Sequence, residues 1–339
     1  MHSFLESRIT DPKSIDTNLV QGIFDSGQIP TIQFSAPTYS VKILEEIDDL
    51  CCLYQDKIEI RFFDHYQSEF DARILARIPN VVLLSIDCLR KIKNLEQISN
   101  LKKISRLNFG VFEFDQKEVL EILPLNKLKH LTIGGNRKNN FDLASLILCS
   151  ELQTLYIDGH TKNIEVINGL SNLSKLTLRA IPKSKPLGFL TACEKLLDLT
   201  LIIGGRQSIT DFSLPSLESL CITWVRGLED LGPMSRFPRL KHLIVEDQLR
   251  LKKIDISKTD ITNLRISNCK NLDDVQGLSD LKNLKSFLAF RTKLPLEGLL
   301  NLSWPESLEV LGLYSTSKSW NDDFEKLSAA KGYRNTPDS

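Results

Sequence analysis

Residues 125–136 read Leu125-Asn126-Lys127-Leu128-Lys129-His130-Leu131-Thr132-Ile133-Gly134-Gly135-Asn136. Leu131 and Ile133 flank one polar residue, the period of a strand with a single buried face, and Leu128 stands three residues earlier. The same triplet recurs along the chain. The pairs are Leu84/Ile86, Leu107/Phe109, Leu131/Ile133, Leu155/Ile157, Leu176/Leu178, Leu199/Leu201, Leu220/Ile222, Leu243/Val245, Leu264/Ile266, Phe287/Ala289 and Leu311/Leu313, spaced 21 to 24 residues apart. Each is preceded by Val81, Ile104, Leu128, Leu152, Leu173, Leu196, Leu217, Leu240, Ile261, Leu284 or Leu308. With 42% of the chain apolar, chance would fill all these positions about once in 10^12 for a fixed register. A short period sustained this long predicts stacked coils, each giving one strand to a parallel sheet and a short return to the opposite wall.

The returns carry apolar residues at spacings of three, as in Leu228 with Leu231 and in Leu272, Val275 and Leu278, which fit short helical or 3₁₀ turns. Upstream, Thr31–Phe34 and Lys57–Phe62 read as two further strands. Between them Ile43, Leu44, Ile47, Leu50 and Leu53 mark an amphipathic helix over 41–54. A second helix is expected over about 66–77, with Phe70, Ile74, Leu75 and Ile78 on its buried stripe. Trp320, Phe324 and Leu327 suggest a last helix over the final coil, followed by a frayed tail from 331. The division is therefore an N-terminal capping region 1–77, repeats 78–315, and a C-terminal cap and tail 316–339. An array of this kind grows by adding coils.

Residues 125–136 match L-x-x-L-x-x-L-x-L-x-x-N throughout, and 278–287 and 170–178 match most of it. The chain resembles the leucine-rich repeat family over about residues 78–315, and its period is similar to the short-repeat, bacterial-type and ribonuclease-inhibitor-like members. The resemblance implies an α/β fold: a right-handed curved solenoid with a parallel β-sheet on its concave face, an α/β N-terminal cap, and a protein as the bound partner. The family's asparagine is present at Asn136. Its equivalents here are Leu89, Phe112, His160, Ile181, Gly204, Val225, Gln248, Cys269, Thr292 and Thr316; Cys269 is an accepted substitute, and the apolar ones must abandon that hydrogen-bond ladder.

The chain of 339 residues carries 43 Lys plus Arg against 43 Asp plus Glu, so no basic excess is available to neutralise phosphates and nucleic acid is not the expected partner. Seven scattered cysteines without a C-x-x-C suit a reducing compartment. MHSFLESRITDPKSIDTNLVQ has early acids and no apolar h-region, and no stretch approaches a membrane span; the expectation is a cytoplasmic chain with no membrane partner. Oligomeric state is not readable.

Candidate contact residues follow from the expected outward columns of the sheet. Tyr156, Asp158, Arg179, Trp224, Glu246, Arg265, Phe290, Arg291 and Tyr314 put aromatics, arginines and mixed charge on a face that is nominally solvated, the composition of interface anchors. Asp158 and Arg179 occupy one column of adjacent repeats. No catalytic residue, metal ligand or cofactor is expected: His130, Asp158 and His160 come from neighbouring repeats without a nucleophile, and Gly134-Gly135 and Gly204-Gly205 read as turn glycines. The functional expectation is a non-enzymatic protein-binding module using its concave face, of the inhibitor or immunity-protein kind that neutralises a toxin or enzyme. The alternative is a recognition or adaptor subunit of a larger complex.

Overall fold

In the computed structural model, residues 7–335 are described. The chain divides into two compact units, Met1–Asn172 and Leu173–Ser339. The first holds strands β1 (Arg8–Thr10), β2 (Thr31–Phe34), β3 (Glu59–Phe62), β4 (Leu83–Leu89), β5 (Arg106–Val111), β6 (His130–Ile133) and β7 (Thr154–Asp158), each hydrogen-bonded in parallel to the next. The second holds β8 (Lys175–Arg179), β9 (Asp198–Ile202), β10 (Ser219–Thr223), β11 (His242–Glu246), β12 (Asn263–Ser267), β13 (Ser286–Phe290) and β14 (Val310–Tyr314), again parallel and in sequence order. Each unit is thus a leucine-rich repeat solenoid, one strand to a coil.

Register follows from the pattern. Leu199 pairs with Leu220, Leu220 with Leu243 and Leu243 with Leu264, so identical positions stack coil on coil. Every residue of the recurrent triplets is buried. A one-residue slip would turn that whole set to solvent, which is why the register is unique.

A left-handed turn follows the buried pair in most coils. Two residues past the second apolar residue of the pair, Cys88, Ala180, Ile203, Trp224, Asp247, Asn268 and Arg291 all adopt left-handed backbone, with φ between 51° and 57°. That conformation is costly for side chains other than glycine. It persists because each turned amide in the second unit donates to a carbonyl of the following strand, as Ile203 N does to Thr223 O at 2.9 Å and Asp247 N to Ser267 O at 3.0 Å.

At the next position Asn136, His160, Gln248 and Cys269 bond to backbone groups, whereas Thr292 is half-buried and Thr316 exposed. Asn136 Nδ2 donates to Val111 O at 2.8 Å, Gln248 Nε2 to Glu246 O at 2.7 Å, and Cys269 Sγ to Ser267 O at 3.4 Å. His160 does the same from a buried position (2% exposed), with Nε2 3.0 Å from Gly134 O and Nδ1 accepting the Phe141 amide at 3.0 Å. The ladder therefore survives at His160, Gln248 and Cys269.

The caps partly depart from expectation. Helix α1 (Thr17–Asp25), capped by Asp16, was not anticipated. Helix α2 (Val41–Tyr54) buries Ile43, Leu44, Ile47 and Leu50, but Leu53 is 70% exposed. The helix expected over 66–77 is instead a two-residue strand, Phe70–Asp71, pairing with Ile92–Lys93, then a 3₁₀ turn Ala72–Arg77 that leaves Ile74 only half-buried. Asp71, extended in the strand, accepts the Arg73 amide as the N-cap of that turn, so helical backbone begins only at Ala72. Val275 likewise lies in a short strand, Asp274–Gln276, paired with Lys253–Asp255. After the one-turn helix α3 (Leu296–Leu300), helix α4 (Lys318–Ala330) buries Phe324 with Trp320 stacked on it, while Leu327 is 52% exposed. The tail expected to fray from 331 is hydrogen-bonded up to Arg334, whose carbonyl accepts from Leu311 N at 2.9 Å and whose amide donates to Glu309 O at 3.0 Å. This covers the open edge of β14. Residues 336–339 lie outside the described residues.

Candidate functional site

Alternation along the strands of the second unit leaves one row of side chains on each side of the buried pair. On β11 and β12 this brings Arg265 beside Glu246, with Nε 2.9 Å from Oε1. Ser267 Oγ donates to the same oxygen at 3.0 Å, so the carboxylate is fixed from two sides. Arg265 nonetheless remains 56% exposed. Its orientation is set while most of its donors stay open to a partner, the state in which an arginine anchor loses least entropy on binding.

A second cluster lies on β13 and β14. The rings of Phe290 and Tyr314 meet edge-on at 6.4 Å, and the Arg291 guanidinium sits 4.8 Å over the Phe290 ring. Tyr314 reaches on to Phe324 of α4 at 6.2 Å. Burial raises the Tyr314 phenol above its ordinary value, with the Glu325 charge adding to it, so the hydroxyl stays neutral and able to donate. Neither Phe290 nor Tyr314 is fully buried. Arg291 also borders a depression of about 460 Å³ with Lys270, Thr292 and Thr316, three residues the sequence reading did not single out for contact. Thr292 and Thr316 hold the asparagine-equivalent position, two residues past β13 and β14, and Lys270 lies three past β12.

Trp224 stands at the end of β10, 56% exposed. The left-handed turn described above is what holds it there: the chain leaves the sheet at Trp224, so its indole projects from the rim while Val225 takes the buried place. Arg179, at the end of β8, is half-buried. Tyr156 and Asp158 lie on β7 and so belong to the first unit. Of the nine candidate contact residues, the structure joins Arg265 with Glu246, and Phe290 with Arg291 and Tyr314.

Chemistry at the other marked positions is occupied by structure. His160, the neighbour of His130 and Asp158 in the repeat pattern, is committed through both ring nitrogens to Gly134 and Phe141. Cys221, on the outward row of β10 between Leu220 and Ile222, has a thiol that burial pushes above its ordinary value, keeping it protonated and a poor nucleophile. Gly204 has φ +95°, and a Cβ there would meet the Ile181 carbonyl at 2.5 Å; at Gly134 it would meet the Gly110 Cα at 2.9 Å. These glycines serve close backbone approach. Among the described residues no group of three or more His, Cys, Asp or Glu is placed to hold a metal, and no helix is long and apolar enough to cross a membrane.

No family model matches the chain. A putative adenylate cyclase regulatory protein of Trypanosoma equiperdum is 31% identical over 174 residues, covering 46% of this chain and 26% of that protein; the chain spans about a quarter of the length of this relative. Among solved structures, an internalin (inlF) of Listeria monocytogenes is 13% identical with a TM-score of 0.47, over 85% of this chain and 79% of the internalin. A chain of the Toll–Spatzle complex of Drosophila is 12% identical with a TM-score of 0.47, over 90% and 50%.

Proposed function

We propose that this leucine-rich repeat chain acts by binding another protein through the exposed strand face of its second unit, and that it controls that protein as an inhibitor or immunity protein would, by covering a toxin or an enzyme. A solenoid offers an extended surface, and binding is the activity such a surface supports. The observation that carries the reading is Arg265, held by Glu246 yet 56% exposed, on the same sheet as the Phe290–Arg291–Tyr314 cluster. Oriented arginines beside half-exposed aromatics are the composition of binding hot spots. Mixed charge fits a partner recognised by complementary charges. The seven free thiols support a reducing, cytoplasmic setting within this proposal.

The alternative, a recognition or adaptor subunit, is favoured by one observation: the Trypanosoma relative is described as a putative regulatory protein and is far longer than the matched stretch. The two readings separate once the bound protein has been purified with the chain. Its activity assayed with and without a stoichiometric amount of the chain should be suppressed if the chain is an inhibitor. Full activity, with the chain retained in a larger assembly, supports the adaptor reading and contradicts the inhibitor.

A further inference from the structure

The outward face of the first unit holds a built polar concavity of about 490 Å³ at its N-terminal end. Register aligns Arg8, Thr31, Glu59, Leu83 and Arg106 in one row across β1 to β5, and Thr10, Gln33, Arg61, Ser85 and Asn108 in the next. A solvated sheet face would leave these side chains free. Here Gln33 and Ser85 are buried, and the floor is bonded throughout. Arg61 makes a bidentate pair with Asp87 (2.7 and 3.0 Å) and donates to Gln33 Oε1 at 3.1 Å. Asn108 Nδ2 donates to Ser85 Oγ at 2.7 Å, and Ser85 in turn donates to Glu59.

The charge on this floor is patterned. Arg61 is neutralised by Asp87, which leaves Glu59 as the central net charge. Arg8 and Arg106 also line the cavity, and neither has a carboxylate partner among the described residues. Reading across the strands gives positive, negative, positive. With strands roughly 4.8 Å apart, Glu59 lies about 10 Å from each arginine at the backbone, close to the roughly 9 Å of one three-residue turn of polyproline II chain, in which residues three apart share a face.

The geometry points to a second binding site, for a protein segment in polyproline II conformation that carries an acid, a base three residues on, and another acid three residues beyond, all on one face. The acids meet Arg8 and Arg106, and the base meets Glu59. Because the floor is hydrogen-bonded in advance, little ordering is required when the segment docks. The site is contained in the first unit, so it stands or falls apart from the role assigned to the second.

The probe is the peptide acetyl-Glu-Gly-Ser-Lys-Gly-Ser-Glu-amide, titrated into the ¹⁵N-labelled full chain, against its charge-reversed counterpart acetyl-Lys-Gly-Ser-Glu-Gly-Ser-Lys-amide. The first should shift the side-chain signals of Arg61, Arg106 and Asn108 saturably, with half-saturation at a concentration at least tenfold lower than the second. Arg106→Glu should shrink that preference and make acetyl-Glu-Gly-Ser-Lys-Gly-Ser-Lys-amide the tightest binder of the three; Arg8→Glu, at an exposed position, repeats the test if the first variant misfolds. Equal response to both peptides, perturbations confined to the second unit, or a preference untouched by both variants overturns the proposal. None of these outcomes bears on Arg265 or Trp224.

Discussion

His160 lies flat on Phe141, ring centroids 4.3 Å apart with planes 15° from parallel, and its Nδ1 accepts the Phe141 amide hydrogen. One ring nitrogen is therefore an acceptor, and Nε2–H donates to Gly134. The neutral imidazole is the form that fits. Burial holds its pKa below the ordinary 6.5, and burial also lowers His65 and His130. Their folded values lie below the unfolded value, so the unfolded chain takes up more protons between the two. The contribution is then fully present above pH 6.5 and is lost as pH falls from there through the folded values, by at most about 1.4 kcal/mol per pH unit for each histidine. Urea midpoints should be flat from pH 7 to 8 and drop at pH 5.5, with a smaller drop in His160→Asn. Equal midpoints for wild type at pH 7.5 and 5.5 contradict this.

The Arg236 guanidinium binds the return segments of the second unit together. It donates to Ile209 O at 2.9 Å, Phe212 O at 2.5 Å and Leu231 O at 2.6 Å. Arg236→Ala leaves these carbonyls without that donor and should cost about 2 to 4 kcal/mol. Arg236→Lys should restore only part, since an ammonium cannot reproduce the planar fork. Chemical denaturation of the three proteins is the check, and a lysine variant as stable as wild type excludes the planar-fork explanation.

In the core, Leu155→Ala and Leu199→Ala should each cost about 2 to 5 kcal/mol, because each opens a cavity shared by neighbouring coils. Thr177→Ala, on the half-exposed outward row of β8, should stay within about 0.5 kcal/mol. Comparable denaturation midpoints for the three variants would falsify the inward and outward assignment.

The repeat register is readable because a strand period of two and a coil period of 21 to 24 residues act on the same side chains, and any slip would expose Leu131 with Ile133 and all their counterparts. The cap helices are less readable. Leu53 and Leu327 sit at helical spacing yet face water, since their helices have only one wall to pack against. The turn column after each strand is silent: Ala180, Ile203, Trp224 and Arg291 share a left-handed backbone that none of those residue types signals. That is why Trp224 could be singled out from the sequence as a large aromatic, but its place on the rim could not. The polar floor around Arg61 is less legible for another reason: the repeat period aligns Ser85 with Asn108, but Gln33 and Arg61 lie on the upstream strands β2 and β3, outside that period.

The left-handed column yields its own test. Ala180 has φ 57°, and a non-glycine residue there costs about 1 to 2 kcal/mol, partly offset by the greater chain entropy that glycine loses on folding. Ala180→Gly should therefore stabilise the chain by about 0.5 to 1 kcal/mol, read as a raised urea midpoint with unchanged slope. Destabilisation would show that the turn is not strained.

The central claim is that the exposed strand face of the second unit binds a protein. Its most direct test is to titrate the protein that co-purifies with the chain against Arg265→Ala, Trp224→Ala and the outer-side control Lys282→Ala, all checked for unchanged folding. The account predicts a loss of at least about thirtyfold in affinity, or about 2 kcal/mol, for at least one of the first two and none for the control. Unchanged affinity in both face variants, with loss in Lys282→Ala, would contradict it.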